Sequence, residues 1–337
     1  MKLLSISIAA YNVEKYLAKT LESLRESKYI NDIEVLIVDD ESKDDTGMIA
    51  LSYVKDNPNS FKYIRKINGG HGSTINKGIE FASGKYFKLI DGDDYVDTDA
   101  FDLYIEKLKT ATTDIVLNDY CIVNDSGEKR NDPAMMVKNK NILRNLECGK
   151  VYSISRKVNA RIFGLHTLAI KTEILKNGHV KITENCFYVD IEYDFYCVFL
   201  SKTFQYFDDV VYMYRISDDG HNSVNKINMI KNVGMQEKVV DKLFTICEEN
   251  NDEEKLEAIM PQLARTYGAL IRTYFLMEGT QKAKDRIVKY ENELERRHFE
   301  LYKKIECDIF ISLVRCLNYL FIPIIKISYL FYLKNKA

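Results

Sequence analysis

Apolar residues fall in short blocks through the first third of the chain, and the blocks alternate with stretches of helical period. Leu3 to Ala9 is almost continuously apolar, the pattern of a strand covered on both faces. Asn12 follows as the expected N-cap of a helix in which Val13, Tyr16, Leu17, Leu21 and Leu24 recur at helical spacing up to Arg25. Ile33 to Val38 repeats the buried-strand pattern and runs into Asp39-Asp40-Glu41-Ser42. Asp45 or Thr46 starts the next predicted helix, which ends near Asp56 ahead of Pro58, and Phe61 to Ile67 predicts a third strand. After the turn Asn68-Gly69-Gly70-His71-Gly72-Ser73, a short helix to about Ala82 leads into a fourth strand, Lys85 to Ile90. Strand and helix alternate with short links, which predicts an α/β fold with a doubly wound, mostly parallel sheet.

The fourth strand runs straight into Asp91-Gly92-Asp93-Asp94. Ligands of open α/β sheets gather outside the carboxyl ends of the strands, so these acids stand where such folds do chemistry. Three carboxylates around one glycine repel one another unless a cation sits among them. Oxygen ligands in that number suit a hard divalent ion, which would in turn hold phosphates. The bland alternative makes Asp93 and Asp94 turn residues, with Asp97 or Asp99 capping the next helix. Asp39-Asp40 end the second strand on the same sheet edge, where a carboxylate can accept hydrogen bonds from a base edge or a ribose hydroxyl. Gly69, Gly70 and Gly72 would let the backbone approach a ligand, and Ser73 would start a helix whose positive end faces it. These pieces describe a nucleotide-diphosphate site without a P-loop. A dinucleotide-binding dehydrogenase fits poorly: Ile75 stands where the third glycine belongs, and the turn follows the third strand rather than the first.

Four stretches in order resemble the successive motifs of family 2 glycosyltransferases of the bacterial cell-surface polysaccharide type. They are Ser7-Ile8-Ala9-Ala10-Tyr11-Asn12-Val13-Glu14; Val35 to Thr46; Asn76-Lys77-Gly78-Ile79 with Ala82-Ser83-Gly84-Lys85-Tyr86; and Asp91-Gly92-Asp93-Asp94. The resemblance implies a GT-A fold, a nucleotide-sugar donor (UDP-linked) and a divalent metal, Mn2+ or Mg2+. It implies that Ala10, Tyr11, Asn12, Glu14, Asp39, Gly70, Asp91 and Gly92 surround the nucleotide, with Asp39 at the base-recognising acid. Asp91-Gly92-Asp93 falls at the D-x-D motif of the family, whose first acid tends toward the ribose and whose second, with the first beside it, holds the metal. Ala10 stands where the family often carries proline.

Glycosyl transfer to an alcohol needs a base for the acceptor hydroxyl and stabilisation of a departing diphosphate. A further strand over Ile115 to about Asn124 is followed by a polar, poorly patterned region to about Lys150. Beyond it, Glu184 to Asp194 puts several acids at the start of an apolar helical stretch ending near Leu200. In the family an acid here, often written E-D before a helix, is the catalytic base. Val189 replaces the first and Asp190 matches the second, so the resemblance implies Asp190 as the base, with helix capping as its other reading. Glu192 and Asp194 read as helix-start or surface charges. Val210 to Arg215 reads as a closing strand, and the loop after it would bring Arg215 or His221 near the diphosphate. His166 lies in the apolar stretch Phe163 to Ile170 and reads as a core histidine, with the acceptor pocket as the alternative.

The 48 basic and 50 acidic residues nearly cancel, so nothing indicates nucleic acid as a partner. Seven scattered cysteines without CxxC spacing predict buried, reduced thiols. The chain opens on a strand without a signal-peptide pattern, which predicts a cytoplasmic location. Met229 to Glu249, Glu253 to Met277 and Lys282 to Glu306 predict three helices. The final run, Ile309 to Leu333, is long enough to span a bilayer, but Ser312, Arg315, Asn318 and Lys326 share one helix face and Pro323 would kink it. A helix lying in the inner membrane surface, with Arg315 and Lys326 reaching water or anionic lipid, is expected; a core or homo-oligomer helix is the alternative. The expected division is 1–110 nucleotide-sugar-binding half, 111–225 acceptor-binding half, 226–306 helical extension and 307–337 membrane-associating tail. The expected function is an inverting glycosyltransferase acting on a hydroxyl of a glycan or lipid-linked glycan in cell-surface polysaccharide synthesis. A non-catalytic nucleotide-sugar-binding or scaffolding protein of the same pathway is the alternative.

Overall fold

The apolar blocks form the strands of one sheet. The computed structural model describes residues 1–128, 146–216, 226–250, 252–277 and 279–334. The chain divides into two compact units, Met1–Ile154 with Ile162–Gly220, and Ser155–Arg161 with His221–Ala337.

In the first unit, β1 (Leu4–Ala10), β2 (Ile33–Asp39), β3 (Phe61–Arg65) and β4 (Tyr86–Asp91) are parallel neighbours in the order β3-β2-β1-β4. The sheet continues through β8 (Leu168–Lys171), antiparallel to both β4 and β6 (Ile115–Val123). Then comes β9 (Thr203–Arg215), parallel to β6, with β5 (Tyr95–Val96) and β7 (Val151–Ser153) antiparallel on β9. The sheet is mixed with a dominant parallel half, as the alternation of elements predicts. Register places the chemistry: Ala9 pairs with Asp91 and Ala10 with Asp39, so the acids ending β2 and β4 flank the end of β1. Leu4, Ile6, Ile8, Val35, Ile37 and Ile90 pack against α1 (Leu17–Arg25) and α4 (Thr98–Thr110) through Leu17, Leu21, Phe101 and Ile105, all buried. Each such side chain contributes about 1.5–3 kcal/mol by leaving water.

Several local expectations need correction. Asn12 does not cap a helix; α1 begins at Leu17. Asn12 has φ 52°, a left-handed conformation that asparagine tolerates, and its Oδ1 accepts from the Lys43 amide at 2.8 Å. It thus ties the loop after β1 to the loop after β2. The helix α3 (His71–Phe81) starts two residues before Ser73, capped by Gly70 with φ 76°. Asp97 caps α4, accepting from the Ala100 amide. In the second unit the first predicted helix is two, Lys226–Lys231 and Val233–Glu248, and the third ends at Arg297 before a short Phe299–Lys304 helix. His298 sits between them, its ring nitrogens 2.8 Å from Glu248 and 3.2 Å from Asp241. Cys121, Cys186, Cys197 and Cys247 are buried as expected, but Cys148 and Cys316 are exposed.

The tail differs most. It forms two helices, Ile309–Tyr319 and Ile322–Lys334, cornered at Tyr319 with φ 65°. Pro323 falls in the first turn of the second helix, where its missing N–H costs nothing. Arg315 and Lys326 face inward. The Arg315 guanidinium donates to Glu291 at 2.7 Å and to the Tyr302 carbonyl at 2.9 Å, while Lys326 Nζ donates to the carbonyls of Met277 and Gly279. Buried cations need acceptors, and the bundle supplies them. Among the described residues no helix is long and apolar enough to cross a membrane.

At the other end of the sheet, Glu34 is buried and accepts hydrogen bonds from Ser5 Oγ, Ser83 N, Ser83 Oγ and Lys62 Nζ. Burial pushes its carboxyl up, but those donors outweigh it and hold the pKa at about 2. A depressed folded-state pKa stabilises above the unfolded value and is lost as pH falls toward the folded one. Stability from Glu34 is therefore expected to be full above about pH 4.5 and to fade toward about pH 2, with Glu34→Gln costing about 2 kcal/mol at neutral pH. Urea unfolding of both proteins at pH 7 and pH 3 checks this; a gap that widens on acidification contradicts it.

Candidate active site

The site is assembled at the carboxyl ends of β1, β2 and β4. Asp39 at the end of β2 is fully buried, its Oδ1 accepting from the Ser42 amide and its Oδ2 from the Tyr63 hydroxyl. Its neighbour Asp40 takes a task that the sequence reading did not assign. Its carboxylate accepts from the amides of Gly69 and Gly70 at 2.9 and 2.8 Å and from Lys66 Nζ at 2.6 Å, fixing the glycine turn. An acid ahead of a glycine-rich turn was the available signal. Gly72 serves the loop 182–186 rather than ligand approach: a Cβ there would lie 2.0 Å from the Thr183 carbonyl oxygen. Asn76 holds the same loop by accepting from the Ile182 amide and donating to the Ile182 carbonyl. Of the loop after β1, Tyr11 is half exposed, while Glu14 accepts from the Asp45 amide at 2.9 Å.

The three acids after β4 have three environments. Asp94 is buried, its Oδ2 accepting from the Tyr212 hydroxyl at 2.6 Å and its Oδ1 from the Arg215 amide at 2.7 Å. It brackets the ends of β4 and β9, and burial together with Asp91 and Asp93 pushes its carboxyl well above the usual range. Enclosure and the Asp91 charge lift Asp93, the more exposed of the pair, to about 6. Arg215 directs its guanidinium to the carbonyls of Asp93 at 2.8 Å and Asp125 at 3.1 Å, so it holds the turn that carries Asp93. His221 lies outside the described residues.

Asp91 sits between two imidazoles. His71 Nε2 is 3.4 Å from its Oδ1 and His166 Nε2 is 3.9 Å from its Oδ2. Burial pushes Asp91 up, but the adjacent His71 imidazole and the charges of both histidines hold it below the usual carboxylate range. His166 is no closed-in core residue. Its ring lies 4.8 Å from that of Tyr212 and 4.7 Å from that of Tyr214, and its side chain is 28% exposed. Lys88, buried in β4, positions the segment by donating to the His166 carbonyl at 3.2 Å. Burial lowers the Lys88 pKa to about 7.

Asp190 opens the helix Asp190–Leu200 and is exposed. Its charge acts on His71, His166 and Tyr214, which puts it beside the same cluster. Glu192 and Asp194, expected at the surface, are buried. Glu192 accepts from the Thr183 amide at 3.0 Å, and burial with the nearby Asp190 charge raises the Asp194 carboxyl well above its ordinary value. Glu192 is covered because the loop 182–186 folds back over it, with the Thr183 amide on its carboxylate.

One ligand atom each from Asp91, Asp94 and His166 lie within 4.8 Å of one another. Two carboxylate oxygens and an imidazole suit a divalent ion such as Mn2+, and a cation there would relieve the repulsion that raises Asp93 and Asp94. That group contains Asp91 but not Asp93.

Residues 5–165 match the family model described as glycosyl transferase family 2. The minor teichoic acid biosynthesis protein GgaB of Bacillus subtilis is 24% identical over 233 residues, covering 68% of this chain and 24% of that protein. The poly(ribitol-phosphate) beta-glucosyltransferase of Bacillus spizizenii is 29% identical over 202 residues, covering 57% of this chain and 32% of that protein. Matches to the first three curated relatives span between 24% and 33% of those proteins' lengths. Among solved structures, S. aureus TarS in complex with UDP-GlcNAc superposes with a TM-score of 0.59 at 18% identity, covering 91% of this chain and 90% of that one. That likeness shows a shared GT-A fold.

Proposed function

We propose that this chain, which carries a family 2 glycosyltransferase domain over residues 5–165, moves a sugar from a UDP-linked donor to a hydroxyl of a cell-surface glycan or its lipid-linked precursor. The observation that carries the reading is the register that brings Asp39 and Asp91 to either side of the β1 end. The names of the teichoic acid relatives favour a polymer acceptor.

In this reading the nucleotide lies over the loops after β1 and β2, with Tyr11, Asn12, Glu14 and Asp39 along its base and ribose. Asp91, with His166 or Asp93, would hold Mn2+ or Mg2+, which when bound neutralises the diphosphate as it departs. Asp190 stands free to accept the proton of the acceptor hydroxyl, whose oxygen forms the new bond to the anomeric carbon from the face opposite the leaving diphosphate. His71 and His166 keep Asp91 ionised and oriented. Asp94 and Arg215 act at one remove, by holding the turn.

Incubating the purified chain with a panel of nucleotide sugars, with Mn2+, Mg2+ or chelator, tests the reading by slow donor hydrolysis. Metal-dependent release of UDP from one UDP-sugar is expected. Saturable donor binding with no hydrolysis under any condition would make the chain a non-catalytic nucleotide-sugar-binding protein.

A further inference from the structure

We infer that the two C-terminal helices dock the chain onto one leaflet of an anionic bilayer, apolar side outward. Ile309, Leu313, Leu320, Ile324, Ile327 and Phe331 are each more than half exposed. On the first helix, Ile309, Leu313 and exposed Cys316 fall within about 60° of the circumference; on the second, Ile324, Ile327 and Phe331 do the same. The opposite faces, carrying Ile311, Val314, Ile322 and Lys326, are buried; both helices pack on Glu253–Leu276, the second also on Thr280–Arg297, which the first reaches through the Arg315–Glu291 hydrogen bond. The two stripes therefore point away from one scaffold. An exposed apolar surface of this extent calls for a partner.

Charge selects lipid as that partner. From Ile309 to Ala337 the chain has no acidic residue and four cations, Arg315, Lys326, Lys334 and Lys336. A face without acids meets anionic headgroups without repulsion. The second helix, 13 residues, is about 20 Å long against a hydrocarbon core of about 30 Å, so it lies in the surface instead of crossing. Because Arg315 and Lys326 are spent on Glu291 and on backbone carbonyls, binding rests mainly on apolar insertion and is only weakly salt-sensitive. This deepens the proposed function and rests on it, since it brings the chain to the membrane that would carry the acceptor.

The test is flotation of the full chain with phosphatidylglycerol-containing vesicles at about 0.1 M and about 0.5 M NaCl, beside sedimentation velocity without lipid. The wild type should float, with less than about threefold change between the salts, and the Ile324→Glu, Ile327→Glu variant should bind about tenfold less or weaker still. A wild type that stays at the bottom, or a variant that floats equally, overturns the inference. So does lipid-free self-association that the same substitutions abolish, since the stripe would then join two copies. Circular dichroism of the variant confirms its fold, and donor hydrolysis on the same samples separates the two readings. Hydrolysis without flotation removes only the docking surface, whereas flotation without hydrolysis removes only the transferase.

Discussion

Asp190→Asn is expected to bind donor as the wild type does and to lose transfer by about 10²–10⁴-fold, the span of general-base catalysis. The change is isosteric at an exposed first position of a helix, so the fold should be unaffected. The amide cannot take the acceptor proton, and the next two acids along the helix are not placed to replace it. Glu192 is committed to the Thr183 amide, and Asp194 is buried and held toward its neutral form. Donor affinity by calorimetry and transfer by product mass, on the same preparation, give the answer. Turnover within about threefold of wild type would remove Asp190 from the role.

The second large effect concerns the acids after β4. Asp93→Ala is expected to abolish the gain in donor affinity that Mn2+ confers, by about 10²-fold or more, with a melting temperature that does not fall, because the change removes a carboxylate repelled by Asp91. Asp94→Ala should behave oppositely. It deletes both the Tyr212 and the Arg215 hydrogen bonds to a buried carboxyl and should cost about 2–4 kcal/mol of stability. Calorimetry with and without chelator, paired with thermal melts, separates the two. Metal-dependent affinity that survives Asp93→Ala but fails in Asp91→Ala or His166→Ala would assign the ion to the Asp91 and His166 side of the cluster.

The two variants differ because adjacent acids in one tetrapeptide meet opposite surroundings, a distinction that spacing does not carry. Asp91, Asp93 and Asp94 all read as ligands on a strand end. Only the return of β9 shows that Tyr212 and Arg215, more than a hundred positions later, claim Asp94. The histidines were equally hidden. His71 lay inside a turn read for its glycines and His166 inside an apolar run, and neither carried a spacing that pointed to Asp91.

What the sequence determined by itself is what local backbone physics controls. Continuous apolar blocks pair as buried strands, short links make those strands parallel, and acids that follow the strands must then collect at one sheet edge. Asp39 and Asp91 lie beside the β1 end for that reason. The tertiary structure alone decided which way polar groups turn. Helical period places Arg315 and Lys326 opposite the apolar stripe but does not say whether that side faces water or protein. They face inward because Glu291, Tyr302, Met277 and Gly279, all distant in the chain, offer acceptors there. A buried charge is tolerated only where such partners converge, and convergence is a property of the assembled fold.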